Sequence, residues 1–156
     1  DANPGSTVTI LTMGLPRAAE VIREAMFRGA DGGIVLTDRT LGGADTLATS
    51  YSLAQAVKKI GNYDIILGGR QAIDGDTAQV GPQIAEKLGL PQVTYAEEVT
   101  VCDGKATIKR RIESGSETVG INDLLHCFAA LSAIALKRSV LDLILLFSIF
   151  AIERSI

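Results

Sequence analysis

Residues 68–83 read GGRQAIDGDTAQVGPQ, and their setting decides the fold. The five residues before them, YDIIL at 63–67, form a short apolar run of buried-strand type. The five after them, IAEKL at 84–88, read as the body of a helix closed by Gly89. A strand, a loop of small residues and a helix N-terminus make up the usual place for a nucleotide in an open α/β sheet. Backbone N–H groups there lack partners and the helix dipole is positive, so phosphate oxygens are favoured. The loop lacks the Gly-Lys-Ser/Thr ending of a P-loop and the spacing of a dinucleotide fingerprint. On its own residues it is a phosphate-binding loop and no more.

The same strand–helix alternation extends outward on both sides. Residues 7–12 (TVTILT) form a strand pattern, with β-branched residues running into an apolar stretch. Pro16 suits a first helical position, and Ala18, Ile22, Ala25 and Met26 make an apolar stripe that stops at Gly29. Residues 33–37 are a second short strand. Asp45 is placed to cap a helix through Ile60, with Leu47, Tyr51, Ala54 and Val57 on its buried side. A further helix is expected from Gln79 to Leu88. Residues 93–101 and 105–112 flank Asp103-Gly104, a two-residue turn of type-I′ hairpin kind. The prediction is an α/β domain with a doubly wound parallel sheet, right-handed crossovers and a late antiparallel hairpin at its edge.

With 156 residues, the chain has the length of one domain. Apolar residues make up 47% and aromatics 4%, a composition suited to close helix-on-sheet packing. The net charge of −3 argues against a nucleic-acid partner. Cys102 and Cys127 suggest no disulfide framework, which points to a reducing, cytoplasmic setting. The first residue is Asp, so the chain is expected to begin inside a gene product. The apolar residues 127–152 are interrupted by Lys137, Arg138 and Asp142, leaving neither half long enough for a membrane span.

Catalytic and metal readings find little support. An EF-hand loop starting at Asp74 would need an oxygen ligand at Ala78, Gly at Gln79 and Glu at Ala85, and all three fail. His126 and Cys127 are adjacent, without the spacing that lets two ligands converge, and the lone His supports no hydrolase triad. Asp74 and Asp76, either side of Gly75, read as Asx-turn formers and helix caps that hold the loop open, or as a carboxylate pair without a nucleophile nearby. Amides of residues 77–80 face phosphate, and Arg70 is either a solvated charge or a phosphate partner. Gln79 and Gln83 stand four apart and share a helical face. Thr46 and Thr49 read as helix-start residues.

The stretch GGRQAIDGDTAQVGPQIAEKLGLPQVTYA resembles the nucleotide loop of the electron-transfer flavoprotein beta subunit. Met13-Gly14, GADTLATSYSLAQAVKKI at 43–60 and IKRRIESGSETV at 108–119 agree in the same order, so the resemblance covers about residues 7–119. It implies that Gly69, Arg70, Gln71, Ala72, Ile73, Asp74, Gly75, Asp76, Thr77, Ala78, Gln79 and Val80 wrap an adenine nucleotide, with Met13 bordering the adenine. The DGDTAQVGPQ form looks more like members that hold a second FAD than those that hold AMP. Implied partners are the alpha subunit, which carries the main FAD, and an acyl-CoA or similar flavin dehydrogenase. The implied role is an electron carrier, electron-bifurcating in members with two flavins, with no catalytic residue of its own; the alternatives are a stand-alone nucleotide-binding module of the same fold or a fragment that binds nothing. Members of the family begin with one more strand and helix, the absent strand lying between the strands at 7–12 and 63–67. Without it, two rows of buried backbone groups lose partners at about 1–3 kcal/mol each. Residues 120–156 depart from the family pattern. Within them LDLILLFSIFAI at 141–152 is apolar on every face, so it is expected to stand in the vacant strand position or to drive self-association.

Overall fold

The computed structural model describes residues 5–61, 63–72, 75–121, 127–131 and 150–154. In chain order these form β1 (Thr7–Met13), α1 (Ala19–Phe27), β2 (Gly32–Leu36), α2 (Thr46–Ile60), β3 (Ile65–Gly69), α3 (Val80–Leu88), β4 (Gln92–Cys102), β5 (Lys105–Ile112), β6 (Gly115–Ile121), β7 (Cys127–Leu131) and β8 (Phe150–Arg154). All the strands join one sheet in the order β2-β1-β8-β3-β7-β4-β5-β6. β1 runs parallel to β2, and β7 runs parallel to both β3 and β4. β4, β5 and β6 form an antiparallel meander that ends the sheet.

Two neighbouring residues of β1 show how the layers are built, because successive strand side chains point to opposite faces. Ile10 is fully buried with Ile22, Ala25 and Ala30, under α1. Leu11 is fully buried on the other face with Leu53, Ala54, Val57, Ile66, Ile84 and Ala85, under α2 and α3. The protein is therefore α/β, with helices on both faces of the sheet. Gly33 of β2 is required by this packing: a Cβ there would stand 2.4 Å from Cγ2 of Ile22.

Local signals hold at several positions. The Asp45 carboxylate accepts from the Ala48 N–H at 2.8 Å, capping α2. Asp103 and Gly104 both have positive φ, 51° and 70°, as a type-I′ turn demands. Gly89 closes α3 in the left-handed conformation at φ 68°.

Other expectations are corrected. Pro16 starts a single 3₁₀ turn, Pro16–Ala18, and the α-helix begins after it. Met26 is 47% exposed, so the buried stripe of α1 is Ile22 and Ala25. In α2, Leu47 and Tyr51 face solvent, and Ser50 and Leu53 take the buried side with Ala54 and Val57. The phase rotates because Ser50 satisfies its hydroxyl on the Leu47 carbonyl at 2.9 Å, which makes a polar residue tolerable there. β3 starts at Ile65, two residues late, and carries on through both glycines.

β8 lies between β1 and β3, antiparallel to both. This is the strand position expected to be vacant. An antiparallel strand pairs two flanking rows of N–H and C=O groups as completely as a parallel one. β7, also from beyond residue 119, lies between β3 and β4. His126 and residues 141–149 fall outside the described residues. Among the described residues no helix is long and apolar enough to cross a membrane.

Candidate functional site: the β3–α3 loop

β1, β2, β3, β7 and β4 all run the same way, so the carboxyl ends of β1 and β3 open on one edge of the sheet. At that edge the chain leaves β3 at Gly69 and re-enters regular structure at Val80. Between them it lines a small open cleft of about 50 Å³, bordered by Gly69, Arg70, Gln71, Ala72, Thr77, Ala78, Gln79, Val80 and Gly81. Eight of the residues expected to hold a ligand thus meet around one cavity. Gly81 joins them; it is buried at the first turn of α3, where the missing side chain brings the backbone to the cleft wall.

Ile73 and Asp74 lie outside the described residues. Gly75 and Asp76 belong to the loop but do not line the cleft. The Asp76 N–H donates to the Ala72 carbonyl at 3.0 Å, and its carboxylate accepts from Gln71 Nε2, so the loop folds back on itself through one acidic side chain. Asp76 and Ala78 both take left-handed backbone, at φ 49° and 53°. Asp tolerates this conformation better than most residues, which explains the residue type at the first position. Met13 ends β1 on the same sheet edge but packs, half-buried, against the core around Leu11 and Ile66, and it does not line the cleft.

The amides at the start of α3 have no intrahelical acceptor, and Pro82 withholds a donor only in the first turn. Gln79 precedes the helix, and its Oε1 accepts from the Thr46 hydroxyl at 3.1 Å. This bond ties the N-terminus of α2 to that of α3. Gln83, one turn on, has a buried Oε1 without a hydrogen-bond partner among the described residues. Arg70 is the one charged residue among the described lining. Its guanidinium stands 5.1 Å over the ring of Tyr95, on β4.

Among the described residues, two groups titrate away from their ordinary values, and neither lines the cleft. Asp38, in the turn after β2, is held below the usual carboxylate range by the Thr40 N–H and hydroxyl. Burial pushes Tyr63 upward. Among the described residues no cluster of three His, Cys, Asp or Glu side chains is assembled. What the cleft offers is a cation, amide donors and close backbone approach, which is the chemistry of holding an anion.

Tyr95 is the residue that sequence reasoning missed. It is distant in sequence from the loop, and no periodicity marks it. Thr46 was legible as a helix start, but not as the partner of Gln79.

The geometry defines an α/β domain with an anion-compatible cleft at the carboxyl edge of its strands. Residues 1–134 match the electron transfer flavoprotein domain family, a span wider than residues 7–119. The chain is 49% identical over 134 residues to the caffeyl-CoA reductase-Etf complex subunit CarD of Acetobacterium woodii, covering 85% of this chain and 51% of that protein. It is 54% identical over 119 residues to the electron transfer flavoprotein subunit beta of Clostridium acetobutylicum, covering 76% and 46%. It is 51% identical over 113 residues to the acryloyl-CoA reductase electron transfer subunit gamma of Anaerotignum propionicum, covering 71% and 42%. The chain belongs to the electron transfer flavoprotein family. It spans about half the length of the curated relatives it matches.

Proposed function

We propose that this chain is the nucleotide-holding part of a beta-type electron transfer flavoprotein subunit. In this reading it passes electrons between a flavin dehydrogenase of the acyl-CoA type and an acceptor, as a heterodimer with an alpha subunit. The observation that carries the reading is the cleft between the end of β3 and the start of α3, lined by Arg70 and small residues. These residues fit a phosphate-bearing group: a cation at the mouth, free helix-start amides and glycines that permit close approach. The sheet is read as doubly wound and Rossmann-like, with the ligand at its carboxyl edge.

FAD is the favoured ligand and AMP the alternative, on the DGDTAQVGPQ form of the loop. When bound, FAD supplies redox chemistry, and the subunit contributes placement and electrostatics. Arg70 and the amides of residues 77–80 hold phosphate; Asp74 and Asp76 shape the loop or accept from ribose hydroxyls; Met13 borders the adenine. None of these residues is assigned a covalent or proton-transfer step, so the subunit acts as a carrier. The setting is read as cytoplasmic.

Co-expression with an alpha-type subunit, followed by a flavin and nucleotide count per heterodimer, tests this. Two FAD are expected. One FAD with one AMP would select the alternative ligand, and a complex with no nucleotide on this chain would overturn the reading.

A further inference from the structure

We propose that Tyr95 is a positioning residue for the phosphate end of the ligand, acting by holding Arg70 at the mouth of the cleft. The inference rests on the nucleotide reading above and deepens it. Tyr95 has left-handed backbone at φ 57°, an outlier for a bulky aromatic residue. The strand around it is irregular on both sides. Pairing of β4 with β7 shifts between Val93 and Ala96, and pairing with β5 shifts between Ala96 and Glu98. Val93 and Ala96 are both buried, three apart, so the alternation of a regular strand is broken between them. Bulges of this kind re-aim a side chain.

The side chain that is re-aimed here is the ring beneath Arg70, 5.1 Å from its guanidinium. The residue before it is fixed as well. Arg110 Nε donates to the Thr94 carbonyl at 2.9 Å, and Arg110 Nη2 donates to the Thr94 hydroxyl at 3.0 Å. Arg110 is itself paired with Glu117 at 2.9 Å. A long, rotamer-rich arginine on a loop is thus laid on a ring whose backbone is pinned from the neighbouring strand. Arg70 lines the cleft, and a guanidinium already confined loses less freedom when it binds an anion. Strained backbone persists where surrounding structure over-determines it, and it gathers at ligand sites.

The test compares AMP with adenosine on the full chain, titrated to millimolar ligand by NMR, because their affinity ratio isolates the phosphate contribution. Arg70→Gln is expected to lower that ratio about tenfold, the loss of a charge-assisted contact. Tyr95→Asn keeps a residue that tolerates left-handed backbone but removes the ring; it is expected to lower the ratio roughly threefold and leave adenosine affinity unchanged. Tyr95→Phe is expected to retain the wild-type ratio. The double variant Arg70→Gln/Tyr95→Asn should match Arg70→Gln alone, since the ring acts through the arginine. Equal weakening of AMP and adenosine by Tyr95→Asn would overturn the proposal, as would an unchanged ratio or additive losses in the double variant. A wild-type chain with no preference for AMP overturns it too; adenosine binding that persists in that case leaves the nucleotide reading standing. Tyr95→Leu supplies a second ring deletion if Tyr95→Asn does not fold, judged by circular dichroism.

Discussion

At the scale of the residue, the loop between β3 and α3 separates two kinds of constraint. Gly75 has open space where a Cβ would stand and no left-handed backbone, so the free chain does not require glycine there. Asp76 does have left-handed backbone and closes the loop on Gln71 and Ala72. Gly75→Val is therefore expected to leave thermal stability unchanged yet abolish nucleotide binding in a reconstituted heterodimer, by blocking close approach of the backbone to phosphate. Asp76→Asn tolerates the same left-handed backbone and keeps an acceptor for Gln71 Nε2, so it should bind within tenfold of wild type. Asp76→Val, β-branched at positive φ, should cost about 1–2 kcal/mol of stability and distort the cleft. Calorimetric titration with differential scanning calorimetry on the three variants decides it. A loss larger for Asp76→Asn than for Gly75→Val would make the carboxylate the main anchor.

At the scale of the element, α2 is fixed at its start by a cap and along its length by the buried side with Ser50, Leu53, Ala54 and Val57. Asp45→Ala removes the acceptor of the Ala48 N–H and is expected to cost about 1 kcal/mol, read as a lower urea midpoint at constant slope. Since Thr46 follows the cap and bonds Gln79, the same change should also weaken nucleotide binding; a stability loss without any effect on binding would dissociate cap from site. The contact of α1 with β2 is tighter. Gly33→Ala would place a methyl 2.4 Å from Ile22, and overpacking of this kind costs about 1–3 kcal/mol. Ile22→Ala removes the clashing Cγ2, so the double variant Gly33→Ala/Ile22→Ala should cost less than the sum of the two single changes, and strict additivity would place the strain in the backbone of β2 instead.

At the scale of the whole molecule, β8 is a strand from outside the family-matched span that occupies the centre of the sheet. It pairs through five positions with β1 and four with β3. Removing residues 135–156 would expose both rows, at about 1–3 kcal/mol for each buried group left without a partner. Summed over both rows, this is comparable with or larger than the roughly 5–15 kcal/mol by which a domain is stable. The truncated chain is expected to lose cooperative thermal unfolding and to aggregate by light scattering. A monomer of residues 1–134 that unfolds at the same temperature as the whole chain would show that β8 contributes no pairing.

Local rules settled much of this protein before any tertiary contact was known. Asp45 as cap, Asp103-Gly104 as turn and Gly89 as helix stop depend on a few neighbouring backbone groups, and a few residues suffice to specify them. The clustering of residues 69–72 and 77–80 around one cleft was legible for the same reason, because a strand, a short loop and a helix start can close only on themselves. The resemblance to a family added identity to that loop. Tertiary structure alone decided which face of α2 is buried, since that depends on what packs opposite Leu53 and on whether Ser50 can satisfy its hydroxyl. It alone brought Tyr95 beneath Arg70, through a bulge whose left-handed residue no propensity predicts. The sequence offered residues 141–152 for the vacant position between β1 and β3; tertiary structure decided that the strand there is Phe150–Arg154 and that it runs antiparallel to both neighbours. Strand pairing is non-local, and unpaired backbone accepts whichever strand reaches it.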